Sequence, residues 1–70
     1  MAVKFRVISL IESKKLGLNN CEELIIGHTY TGYDQRNGLY TVLLERGHWF
    51  ATARAWISGN DIEIIDHTKG

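Results

Sequence analysis

The opening run "VKFRVISLI" sets Val3, Phe5 and Val7 against Lys4 and Arg6, and then adds Ile8 and Leu10. A period of two with this composition predicts a strand over residues 2 to 11, one face buried first and both partly covered later. "ESKKLGLNNCEE" breaks the pattern. It is polar and carries Gly17 and Asn19-Asn20, residues that accept left-handed backbone, so it reads as a long loop with room for one short helical turn. In "LIIGHTYTGY", Gly27 separates an apolar triplet from the β-favouring run His28 to Tyr33, which marks a turn or bulge ahead of the second strand.

Asn37-Gly38, between Tyr33 and Leu39, predicts a hairpin tip, because both residues accept positive φ. "LYTVLLE" leaves it as a third strand, "ERGH" turns again, and "HWFATA" completes a three-stranded antiparallel meander. "RAWISGND" reads as a helical turn, and "DIEII" as a short last strand. These elements predict an all-β fold: a single five-stranded barrel with a long first loop and a short 3-10 turn before the last strand. Residues 1–66 form that domain, and 67–70 read as a flexible C-terminal tail.

From Leu24 to Asp66, about two thirds of the chain, the pattern resembles SH3-like barrels, and more narrowly small phage-type proteins of that fold. The resemblance rests on Leu24, Ile26, Gly27, His28 and Tyr30, set against "L-x-V-G-K-x-Y", and on Trp56 followed by "DIEIID". It implies that Phe50 points inward, that Trp49 points outward, and that Trp56 follows the helical turn and seals the barrel. Polyproline-binding SH3 domains carry "A-L-Y-D-Y" and a proline where this chain has Ala51, so polyproline recognition is not implied.

At 70 residues the domain has little stability to spare, and the lone Cys21 forms no internal disulfide. Its neighbours Glu22 and Glu23 disfavour the thiolate. Eight Lys and Arg balance eight Asp and Glu, so no net field draws the chain to nucleic acid or an anionic membrane. No apolar run matches a membrane span or a signal peptide, and with an unpaired thiol the expected compartment is cytoplasmic, the host cytoplasm if the protein is phage-encoded. His28, His48 and His67 lack metal-ligand spacing, so no metal and no cofactor is expected. Neither an activated nucleophile nor a carboxylate pair stands out, which argues against an enzyme.

The expectation is a small non-enzymatic protein-binding module, a phage-type accessory protein that engages an unknown partner such as a bacterial host protein. Its partner-binding residues would be Trp49, Tyr33, Arg54 and Leu43, with Lys14 and Lys15 from the long loop, because Trp, Tyr and Arg dominate binding hot spots. Packing of Trp49 over Tyr33 or Leu43 is the competing reading. Two other functions stay open: a nucleic-acid-binding barrel using Lys4, Arg6, Lys14, Lys15, Arg36, Arg46 and Arg54, and a homo-oligomer formed through an edge strand.

Overall fold

A computed structural model describes residues 2–45 and 52–67. The elements in order are β1 (Ala2–Val7), α1 (Ile11–Lys15), a 3-10 turn (Cys21–Glu23), β2 (Thr29–Asp34), β3 (Leu39–Glu45), β4 (Thr52–Ser58), a second 3-10 turn (Gly59–Asp61) and β5 (Ile62–His67). All five strands join one antiparallel sheet in the order β4-β3-β2-β1-β5. The all-β class, the meander, the long first loop and the 3-10 turn before the last strand are therefore as expected. Since β4 and β5 are the two ends of the sheet, the barrel is open rather than closed.

Strand parity decides what enters the core. On β1, Phe5 and Val7 point inward while Lys4 and Arg6 stay exposed, as their alternation requires. Phe5, Val7, Leu10, Leu24, Val42, Ala55, Ile57 and Ile62 form the buried cluster, with Tyr30, Tyr40 and Leu44 packed against it. The Phe5 ring lies 5.9 Å from that of Tyr40 and 6.4 Å from that of Tyr30, centroid to centroid, within the range of favourable aromatic pairs.

β2 pairs with β1 from Thr29 to Tyr33, whereas only Tyr33↔Thr41 and Asp34↔Tyr40 pair it with β3, so it meets β3 at its end alone. Gly32 sits just before that end. A Cβ there would run into the Thr41 carbonyl oxygen and lie 2.9 Å from Phe5 Cε2. Gly27 has φ +94 and donates its N–H to the Val7 carbonyl at 2.7 Å, which makes it the expected turn.

Four local expectations are corrected. First, β1 ends at Val7, because the N–H groups of Ile8 and Ser9 both turn to the Asp61 carbonyl, and Ile11 begins α1. Second, the hairpin tip uses Arg36 (φ 62) and Gly38 (φ 82), not Asn37 and Gly38, as its left-handed residues. The side chains of Asp34 and Asn37 accept from the N–H groups of Arg36 and Leu39 and hold this longer turn.

Third, "RAWIS" is strand rather than helical turn. It pairs without a break along β3, from Leu39↔Ser58 to Glu45↔Thr52, and the turn is confined to Gly59–Asp61. Fourth, Trp56 therefore precedes that turn and does not seal the barrel: Ala55 and Ile57 face inward, while Trp56 lies on the opposite face, half-buried. The "ERGH" turn, the Trp49 and Phe50 assignments and the Ala51 position all lie outside the described residues, as does His48.

Candidate functional site

The face of β3 that turns away from the core carries Leu39, Thr41, Leu43 and Glu45. Register places Arg54 directly opposite Leu43 and Trp56 opposite Thr41. On the other side of Thr41 lies Tyr33. Directly opposed residues have Cβ atoms about 5 Å apart, and successive rows on one face are about 7 Å apart. Tyr33, Thr41 and Trp56 thus form one row across three strands, and Leu43 with Arg54 forms the next.

Leu43 is 57% exposed and Tyr33 51% exposed, whereas Thr41 between the two rings is buried. The Thr41 hydroxyl accepts from Gln35 Nε2 at 2.9 Å, so this buried polar group of the face is satisfied. Arg54 is exposed, and its guanidinium makes no ion pair with any described residue. Of the residues nominated from sequence, the fold thus brings Tyr33, Leu43 and Arg54 together and adds Trp56. Trp49 lies outside the described residues.

Lys14 and Lys15 are exposed on α1 and are not part of this group. Ser13, beside them, is fixed beneath Ser58. Arg54 is four residues from Ser58, about 13 Å along a strand. The other basic residues spread over β1 (Lys4, Arg6) and the hairpin tip (Arg36), and Arg46 lies outside the described residues. Arg6 is engaged with Glu63 at 2.9 Å in an exposed pair, which contributes little to stability.

A buried polar cluster went unread in the sequence. Asp61 and Ser13 are both buried. The Asp61 carboxylate accepts from the Ser13 hydroxyl at 2.6 Å, the Ser13 N–H at 2.7 Å and the Glu12 N–H at 3.4 Å. The Ser13 hydroxyl oxygen in turn accepts from the Ser58 N–H at 2.8 Å. Burial pushes the Asp61 carboxyl upward, but the hydrogen bonds from Ser13, Ser9 and Glu12 outweigh it and hold the group below its ordinary range. A serine this enclosed, with its hydroxyl committed on both sides, is a structural latch and not a nucleophile.

Cys21 is equally enclosed. Burial first, and then the Glu22 carboxylate, push its thiol up, while Lys14 opposes the shift. Among the described residues no three His, Cys, Asp or Glu side chains gather into a metal site, and no helix is long and apolar enough to cross a membrane.

Another surface missed in the sequence is aliphatic. In "LII" only Leu24 is buried, and Ile25 and Ile26 face solvent. The Val7 N–H donates to the His28 carbonyl and the Val7 carbonyl accepts from the Gly27 N–H, which brings the exposed Ile8 next to that segment. The positive φ of Gly27 was the available signal, since a turn so close to the triplet leaves little strand to bury it.

Fold and site together define a small open β-barrel with an aromatic, aliphatic and cationic face on β2, β3 and β4. No family model, no curated protein and no solved structure matches the chain.

Proposed function

We propose that the protein is a small non-enzymatic binding module whose partner is another protein, docked on the face formed by Tyr33, Leu43, Arg54 and Trp56. The observation that carries this reading is the exposed Leu43, directly opposite an exposed Arg54 and one row from Tyr33. A barrel this small gains nothing in folding from an exposed leucine flanked by an arginine and two rings, and these residue types anchor protein interfaces.

The phage-type reading, in which the partner is a bacterial host protein met in the host cytoplasm, rests on the sequence resemblance alone. The nucleic-acid alternative is less favoured, because the basic residues do not line one stripe and Arg6 is engaged with Glu63. Affinity capture from bacterial lysate, with wild type, Leu43→Ala, Arg54→Ala and Lys15→Ala as parallel baits, tests the proposal. A protein retained by wild type and Lys15→Ala but reduced at least tenfold on the other two is the expected result, given a hot-spot loss of about 2 kcal/mol. Equal retention on all four baits would remove the face from consideration, and retention of nucleic acid alone would favour the alternative.

A further inference from the structure

The outward edge of β4 is covered by the protein's own first loop. Alternate residues of this strand turn their backbone groups away from β3, and one such group on each of Arg54, Trp56 and Ser58 meets a different loop atom. Asn20 Nδ2 donates to the Arg54 carbonyl at 3.0 Å, the Trp56 N–H donates to the Asn19 carbonyl at 2.9 Å, and the Ser58 N–H donates to the Ser13 hydroxyl at 2.8 Å. These are the groups that an added β-strand would use.

What holds the loop is uneven along its length. Leu10 at one end and Cys21 and Leu24 at the other are buried. Between Leu10 and Cys21 the only buried residue is Ser13, while Ile11 and Leu16 face solvent. Gly17 (φ 68) and Asn20 (φ 61) supply left-handed turns near the far anchor. The middle is thus held by polar contacts, and water replaces such contacts at small net cost. Segments with few buried apolar contacts open locally below the free energy of global unfolding.

We propose that residues 11–20 are a strap that opens as one unit from β4 while the barrel stays folded, uncovering the strand edge beside the Leu43 and Arg54 face. An extended partner segment could then pair with Arg54, Trp56 and Ser58 while its side chains reach that face. The use of the edge rests on the binding reading, but the opening itself does not.

Amide hydrogen exchange on the full chain tests the opening, and lysate capture tests the face separately. After correction for intrinsic chemical rates, the Trp56 and Ser58 amides should exchange with one common protection factor, at least tenfold below that of Ala55 and Ile57, whose backbone faces β3. Of the three contacts to β4, Ser13→Ala removes only that to Ser58, together with the hydroxyl's bond to Asp61, yet it should speed exchange at both Trp56 and Ser58 by tenfold or more and leave Ala55 and Ile57 unchanged. If that variant does not fold, Asn20→Gly keeps the left-handed backbone, removes only the bond to Arg54, and should produce the same paired response. Acceleration confined to the residue that lost its contact, or wild-type exchange of Trp56 and Ser58 at the rate of Ala55 and Ile57, would overturn the proposal.

Discussion

Gly32→Ala adds one methyl group at the most crowded point of the sheet. The new Cβ would meet the Thr41 carbonyl oxygen, Phe5 Cε2 at 2.9 Å and Val42 Cγ2 at 3.1 Å. The ring and the methyl can shift by a few tenths of an ångström. The carbonyl cannot, because Thr41 is one half of the Tyr33↔Thr41 pair, and only Asp34↔Tyr40 stands with it to join β2 to β3. Overpacking by a methyl costs about 1 to 3 kcal/mol where side chains can adjust, and displaced backbone puts this site at or beyond the upper end.

The loss of glycine's freedom in the unfolded chain returns about 0.4 to 1 kcal/mol, so the net loss should be about 2 to 4 kcal/mol. Domains of this length hold about 4 to 10 kcal/mol in total. Gly27→Val is the natural contrast, since nothing lies within 4 Å of a Cβ there and its cost comes from φ +94 alone. That cost should be about 1 to 3 kcal/mol. Urea denaturation of both variants gives the comparison, and the melting temperature of Gly32→Ala should fall by about 10 °C or more. A Gly32→Ala midpoint within about 0.5 kcal/mol of wild type would mean that β2 and β3 do not meet as described, and the face built on their register would fall with it.

Ile57→Ala should cost about 2 to 5 kcal/mol, whereas Trp56→Ala on the outer face should cost less; chemical denaturation showing the reverse order would invert the assigned parity of β4. For Asp61, the folded carboxyl is held below the ordinary 3.8. The stability it contributes is therefore full above that value and is lost as pH falls through the lower folded value. Asp61→Asn should cost about 2 kcal/mol at pH 7 and flatten the stability profile on the acid side of the ordinary carboxylate range, and a variant profile parallel to wild type would remove the carboxylate from the latch.

How much of this was legible depended on where the physical partner of each residue lies in the chain. Alternation exposed β1 and β3 because the partner of a buried residue on one strand face is another residue two positions along. Tyr33 and Arg54 could be nominated by residue type alone, and the fold's parity agrees for Leu43, which points opposite in sense to Val42 and Leu44. Lys14 and Lys15 could not be placed, because their position is set by Ser13 reaching Ser58, 45 residues away. Asp61 reads as the polar start of a last strand, and only its partner Ser13, 48 residues earlier, makes it a buried latch. Trp56 was misassigned through the resemblance, which put it behind a helical turn, but Tyr40 and Val42 inward on β3 require Ile57 and Ala55 inward on β4. The "RAWIS" segment looked unable to pair because half of its backbone partners belong to the loop.

Edge strands invite unwanted pairing, and this chain guards its two edges differently. On β4 the guard is the strap. On β5 the register with β1 slips by one residue between Lys4 and Phe5, from Lys4↔Asp66 to Phe5↔Ile64, which leaves Ile65 without an opposite number and interrupts the ladder. A bulge of this kind twists an edge away from a flat partner strand, and Glu63 and Asp66 place charge on either side of it. Two copies meeting along β5 would therefore meet an irregular edge, which weighs against the homo-oligomer reading. With one edge interrupted and the other latched, the side chains on the outer face of β2, β3 and β4 are the surface most open to a partner. Under the proposed binding function, the first step of recognition falls to Leu43, Arg54 and Tyr33, and any strand addition along β4 follows release of the Ser13 latch.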